Sequence, residues 1–140
     1  MKRPIPVVRL IVPDGEGRVL VLRRREGGLA PGAWCLPGGK VDYGETARAA
    51  VERELREETS LACREARFLF FQDGLPSASG AIHCINLVFE CQASGNAAPG
   101  EESSELAWIG SSDLKDHPLV FLGDQALTKY WKEKSTAAPP

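Results

Sequence analysis

Glu54, Glu57 and Glu58, preceded by Arg53, are the residues of this chain best suited to carry chemistry. Residues 45–58 read Glu-Thr-Ala-Arg-Ala-Ala-Val-Glu-Arg-Glu-Leu-Arg-Glu-Glu, a composition that favours helix. At about 100° per residue, Ala47, Ala50, Val51, Glu54 and Glu58 share one narrow stripe. That stripe begins apolar and ends in two like charges one turn apart, an arrangement that destabilises a helix by about 0.2–0.5 kcal/mol even in water. Glu57 adds a third carboxylate at the C-terminal end, where the helix dipole disfavours anions. Burying such charges without a counter-ion would cost far more, and a hard divalent cation removes all three penalties, because Mg²⁺ takes oxygen ligands and shares them with substrate phosphates. A solvated acidic face is the alternative, since Arg48 with Glu52, Glu52 with Arg56 and Arg53 with Glu57 are spaced as i,i+4 ion pairs. On the helix alone both readings stand.

The residues ahead of the helix favour the first. Leu36-Pro37-Gly38-Gly39-Lys40 brings bare backbone toward whatever the carboxylates hold, and the two glycines permit a close approach. A Walker-type phosphate loop is excluded, because its first glycine would fall at Trp34 and Val41 stands where Ser or Thr is required. No G-x-G-x-x-G follows a strand, so a dinucleotide fold has no support. The four cysteines, Cys35, Cys63, Cys84 and Cys91, contain no C-x-x-C pair and read as small buried hydrophobes. Two histidines, His83 and His117, have no zinc-ligand spacing.

Elements able to position these residues follow from the pattern. Pro6–Val12 and Arg18–Leu22 are apolar runs flanking Asp14-Gly15-Glu16-Gly17 and predict a hairpin. Residues 26–39 form a Gly/Pro-rich loop around a short strand at 33–36, and a helix runs over 46–59. Strands are expected at 67–72, 82–91 and 105–109, with loops at 73–80 and 94–104. Phe68, Phe70 and Phe71 are expected in the core, and Trp34 and Trp108 as packing residues. A last helix begins at Gly123-Asp124, with Leu127, Tyr130 and Trp131 on one face. The reading is one domain over 1–134 with a disordered tail at 135–140 and fraying from Lys134.

With 140 residues, 43% of them hydrophobic and 26% charged, the chain can bury a real core. No apolar run approaches the ~18 residues a membrane span needs, and Arg9 interrupts the only apolar stretch near the N-terminus. A net charge of -2 and a pI near 5.7 argue against nucleic-acid binding. The expectation is a cytoplasmic protein with no membrane or nucleic-acid partner; its oligomeric state is left open.

Gly39, Glu45, Arg53-Glu54-Leu55, Glu57-Glu58 and Leu61 match the Nudix box, G-x5-E-x7-R-E-U-x-E-E-x-G-U with U a bulky apolar residue, at every spacing. Ser60 alone departs, standing where the family has glycine; a left-handed cap there costs serine about 1 kcal/mol, which bears on the helix ending and not on the metal site. The chain thus resembles the Nudix hydrolases from about Val7 to Leu114, through Leu20–Arg24, Pro31–Pro37 and Glu102–Trp108. The resemblance implies an α/β Nudix fold, a mixed β-sheet sandwiched between α-helices, and hydrolysis of a diphosphate linkage in a nucleoside diphosphate derivative. It implies that Glu54, Glu57 and Glu58 hold Mg²⁺ or Mn²⁺, with the Gly38 carbonyl as a further ligand and Glu102 as a later one. It implies catalytic roles for Arg53, Glu54 and Glu57, Arg53 orienting a neighbouring carboxylate while Glu45 secures the loop. Arg24, Gly38 and Gly39 are the substrate-binding candidates. For Glu102 a solvated loop acid, and for Arg24 an ordinary charged strand end, remain the plain alternatives, and the general base is either a box glutamate or a later acid. The expected substrate is a nucleoside triphosphate or a small nucleoside diphosphate derivative. The alternatives are an ADP-ribose or nucleotide-sugar pyrophosphatase, for which Pro76 is slender support, and a non-catalytic nucleotide sensor.

Overall fold

The computed structural model describes residues 2–28, 30–76 and 82–136. Along the chain they form β1 (Ile5–Ile11), β2 (Val19–Arg24), β3 (Trp34–Cys35), β4 (Gly38–Lys40), α1 (Ala47–Thr59), β5 (Ala62–Gly74), β6 (Cys84–Ser94), β7 (Ser103–Ile109) and α2 (Gly123–Thr136), with a 3-10 turn over Ser111–Asp116. Two sheets result. One is mixed and four-stranded, in the order β4-β1-β6-β5, with β1 parallel to β6; the other is antiparallel, in the order β3-β2-β7.

The predicted hairpin of β1 and β2 survives only at its base. Asp14 N–H donates to the Arg18 carbonyl at 3.0 Å and Leu20 N–H to the Val12 carbonyl at 3.1 Å, and beyond that the strands diverge into separate sheets. The reason lies in their composition. Val7, Val8, Leu10 and Ile11 in β1 and Val19 to Leu22 in β2 are all buried, so both faces of each strand need cover and neither strand can sit at an edge. Each becomes interior, β1 between β4 and β6, and β2 between β3 and β7.

Alternation along these strands feeds two apolar layers. Val8, Leu10 and Leu20 pack with Ala50, Val51 and Leu55 of α1. Ile11, Val19 and Val21 pack with Ala126, Leu127 and Tyr130 of α2. The strands therefore lie between the two helices, as the resemblance implies.

The phenylalanines of β5 are a correction. Phe68 and Phe71 are 52% and 60% exposed, Phe68 meeting the core only through an edge contact with Phe89, and Phe70 packs partly against it. As the outer strand of its sheet, β5 slips register between Cys63 and Glu65 and again between Phe68 and Phe70, and these bulges turn side chains outward. Trp108 is likewise 38% exposed. All four cysteines are free, Cys35 and Cys91 buried and the other two half-buried. β5 continues through Gly74, beyond the expected start of the loop at Asp73, while residues 77–80 of that loop lie outside the described residues. α2 reaches Thr136, so Lys134 to Thr136 are helical, and 137–140 again lie outside. Among the described residues no helix is long and apolar enough to cross a membrane.

Candidate active site

Thr46 starts α1 by accepting the Ala49 N–H on its side chain at 3.0 Å. Just before it, Glu45 accepts the Asp42 N–H at 3.0 Å and two bonds from Arg53, at 2.7 and 2.9 Å. Arg53 also donates to the Lys40 carbonyl at 3.0 Å, to Glu54 at 2.8 Å and to Glu57 at 3.3 Å. One guanidinium thus ties the glycine loop, the start of the helix and two of its acids together. The Arg53 hydrogen bonds, with the Asp42 N–H, draw the Glu45 carboxyl down to about 2, and the same bonds raise Arg53.

β4 delivers Gly38 and Gly39 to the acids by pairing with β1, Gly38 opposite Arg9 and Gly39 opposite Val8. Gly38 has a φ of 152°, and a Cβ there would overlap the Val8 carbonyl. Its N–H donates to Glu58 Oε2 at 2.6 Å. A Cβ on Gly39 would fall on the Glu54 carboxylate, so that side chain lies directly against bare backbone. Glu54 is 9% exposed and Glu58 half-buried. Burial, with Glu54 and Glu102 adding their charge, pushes the Glu58 carboxyl up to about 8 against the Gly38 N–H. Burial also raises Glu54, against the pull of Arg53. Glu57, by contrast, is exposed. Among the described residues these acids form no closed cage of three ligands.

The end of α1 is completed from a distance. Ser60 takes the left-handed conformation, φ 64° and ψ 4°, and donates its N–H to the Arg56 carbonyl at 3.0 Å. Ala98 and Gly100 then donate to the carbonyls of Thr59 and Glu58 at 2.8 and 3.0 Å. These bonds satisfy the helix's orphan acceptors and dock the loop that carries Glu102 beside the acids. Arg25 pins the same loop, its N–H on the Glu102 carbonyl at 3.0 Å.

A cleft of about 1160 Å³ opens from these acids, lined among others by Glu54, Glu57, Glu58, Glu102 and Arg24. The expected metal and substrate residues, Arg24, Gly38, Gly39, Glu54, Glu57, Glu58 and Glu102, thus line one cleft, while Arg53 touches it only through its bonds to Glu54 and Glu57. Arg24 lies with Nη1 3.9 Å from Cys35 Sγ and its guanidinium 5.2 Å from the Phe121 ring. Among the lining residues not foreseen are Arg9 on β1, Asn86 on β6 and Phe121 before α2. Arg9 carried a signal, as the lone charge in an apolar strand. Asn86 and Phe121 carried none, because their place depends on which strands pair. Trp34, in contrast, packs edge-on to His117 with ring centroids 4.9 Å apart.

Known proteins resemble this chain in sequence and in fold. The NUDIX domain matches residues 3–130. The nucleoside triphosphatase NudI of Escherichia coli is 32% identical over 128 residues, 85% of this chain and 90% of that one. A crystal structure of a MutT NUDIX hydrolase from Burkholderia pseudomallei superposes with a TM-score of 0.82 and 31% identity, covering 91% of this chain and 98% of the other. The NUDIX domain of Shewanella oneidensis NrtR, in complex with ADP ribose, has the same fold at a TM-score of 0.80 and 21% identity, covering 97% and 91%. Nudix hydrolases generally use divalent metal cations. With its acids on α1, its glycine loop on β4 and these relatives on both sequence and fold, the chain belongs to the Nudix family and is a pyrophosphohydrolase.

Proposed function

We propose that this protein hydrolyses a diphosphate linkage in a nucleoside triphosphate, or in a small nucleoside diphosphate derivative, in a reaction that depends on Mg²⁺ or Mn²⁺. The observation that carries this reading is the placing of the Glu54 and Glu58 carboxylates against the bare backbone of Gly38 and Gly39 at one end of the cleft. The name of the E. coli relative, a nucleoside triphosphatase, supports the substrate class.

The donor set fits the ion. It is all oxygen, and the buried Glu54 and half-buried Glu58 sit together, Glu54 ion-paired to Arg53 at 2.8 Å and Glu58 eased only by the charge of Arg9 and the Gly38 N–H. The open arrangement suits Mg²⁺, which keeps several waters and binds through a few carboxylates and substrate phosphates. Glu54, Glu57 and Glu58 hold the metal in this reading, with the Gly38 carbonyl and Glu102. Bound there, the ion supplies Lewis-acid charge to the phosphate oxygens and makes water a better nucleophile.

The chain's own residues do the rest. Arg53 is a positioning residue, since its bonds to Glu45 fix the angle at which it presents Glu54 and Glu57. Gly39 leaves room for the Glu54 carboxylate, and Gly38 holds Glu58. A water attacks phosphorus, one P–O bond of the anhydride breaks, and the water's proton passes to a carboxylate at the cleft mouth. Glu57 and Glu102 are exposed acids of the cleft and the candidates for that role. Arg24 faces the negative charge of the substrate.

The test is product release from nucleoside triphosphates, ADP-ribose, nucleotide sugars and dinucleoside polyphosphates, with Mg²⁺ and with EDTA. Turnover is expected only with metal, and Glu54→Gln should lose roughly 10²–10⁴-fold. Near wild-type turnover by that variant, or turnover in EDTA, would remove the metal-site assignment. Binding without any turnover would make the protein a sensor.

A further inference from the structure

Two buried side-chain polar atoms among the described residues have no hydrogen-bond partner, Arg9 Nε and Asn86 Oδ1, and both residues line the cleft. Asn86 is 2% exposed, and an unmet acceptor at such depth costs about 1–3 kcal/mol.

The orientation of Asn86 is dictated by a strained turn. Phe121 and Leu122 sit at φ 57° and 64°, a region that non-glycine residues avoid. The Leu122 carbonyl accepts from Gln72 Nε2 at 3.1 Å, which leaves Gln72 Oε1 for Asn86. Asn86 Nδ2 donates to that oxygen at 3.3 Å and to the Phe121 carbonyl at 3.5 Å. Both neighbours are acceptors, so a flipped amide would set oxygen against oxygen. The turn therefore consumes the Asn86 donor and leaves its acceptor for something else.

Arg9 shares the same face. Val7 pairs with Asn86 across β1 and β6, and Arg9 follows Val7 by two residues, about 8 Å from Asn86 by strand spacing and rise. Its guanidinium lies 4.9 Å from the centre of the Phe121 ring. The site thus offers one fixed acceptor, one cationic donor and an aromatic wall.

We propose that Asn86 and Arg9 read the base of the substrate, Asn86 Oδ1 accepting a ring N–H and the Arg9 guanidinium donating to the adjacent carbonyl oxygen. This rests on the reading that the substrate is a nucleoside triphosphate. Guanine, hypoxanthine, uracil and thymine carry such an N–H beside a carbonyl. Adenine has no carbonyl oxygen and presents a bare ring nitrogen in place of the N–H, so it leaves both protein groups wrongly matched.

Inosine and adenosine triphosphates separate the idea cleanly, because the two purines are nearly equal in size and differ at this edge. Wild type should favour the inosine nucleotide in kcat/KM by about tenfold or more. Calorimetry in EDTA should show inosine monophosphate binding more tightly than adenosine monophosphate. In Asn86→Leu and in Arg9→Met the preference should collapse toward unity, a ratio that partial misfolding does not alter. The proposal is overturned if wild type treats the two triphosphates within about twofold of each other. It is also overturned if both variants lose activity on both nucleotides with the ratio intact, which would make Arg9 a phosphate ligand and Asn86 a structural residue. If wild type cleaves neither triphosphate, the reading beneath fails on its own account, and the monophosphate titration still decides the pair: equal affinities, or no binding, dismiss it.

Discussion

At Gly38 an added methyl would strike the Val8 carbonyl in a backbone conformation that L residues rarely adopt, whereas at Gly39 it would strike only the far end of the Glu54 side chain. Gly38→Ala should therefore cost roughly 2–4 kcal/mol of stability from strain and overlap together. Gly39→Ala should cost less than about 1 kcal/mol, because a flexible carboxylate can swing aside, yet lower kcat/KM about 10–10²-fold by displacing it. Chemical denaturation and steady-state kinetics on the two variants check the contrast. Glu58 supplies a second case. Its folded carboxyl titrates near 8 against an ordinary 4.5, so the folded state holds its proton more tightly than the unfolded state does. Ionised Glu58 thus destabilises the fold, progressively from about pH 4.5 to 8 and fully above that, by a few kcal/mol at about 1.4 kcal/mol per unit. Glutamine keeps an oxygen for the Gly38 N–H and carries no charge. In EDTA, Glu58→Gln should melt above wild type at pH 8, with the gap closing toward pH 5. Added Mg²⁺ should raise wild type more than the variant. Equal shifts in both proteins would take Glu58 out of the ligand set.

α1 was legible in the sequence because a helix's period is local: the stripe from Ala47 to Glu58 can be drawn without knowing any other element. Its ending was less so. Ser60 departs from the family glycine yet still adopts the left-handed cap, and the carbonyls it leaves are met by Ala98 and Gly100, some forty residues away in sequence. Ser60→Gly should be neutral or stabilising by up to about 1 kcal/mol, relief of the left-handed strain being partly offset by a freer unfolded chain, with activity unchanged. A fall in melting temperature would show that the serine side chain contributes to the cap. The strands were read less faithfully for a related reason. An all-apolar run such as Val19–Leu22 declares that it is interior but not which strands flank it, and the double bulge in β5 that exposes Phe68 and Phe71 leaves no mark in composition. Arg9 and Asn86 escaped for that cause, as residues of neighbouring strands that become a pair only through the β1–β6 register.

The whole molecule is fastened across its sheet by one buried acid. Glu90 of β6, 6% exposed, accepts from Tyr130 Oη and Lys134 Nζ of α2, the latter at 3.1 Å, and from Arg67 of β5 at 3.1 Å. Burial alone would raise its carboxyl; the Tyr130, Lys134 and Arg67 bonds prevail and lower it. Its contribution is therefore present above the ordinary carboxylate range and lost as pH falls through the lowered folded value. Tyr130→Phe should cost about 1.5–3 kcal/mol, or roughly 5–10 °C in melting temperature, with most of the difference gone at strongly acidic pH. Melting curves across pH settle it, and an unchanged melting temperature at neutral pH would mean that α2 is held by its apolar face alone. The parting of β1 from β2 has a consequence in time. Val7 meets Asn86 and Leu20 meets Trp108, so each of these greasy strands waits for a mate about eighty residues downstream. Neither sheet can close until about two-thirds of the chain has been made, since β6 ends at Ser94 and β7 at Ile109, and such non-local closure is slow. A nascent chain must carry two sticky ribbons, joined only at the base of their hairpin between Val12 and Leu20, through most of its synthesis. The helix that bears the acids can form early, but the pocket it serves is among the last things to exist.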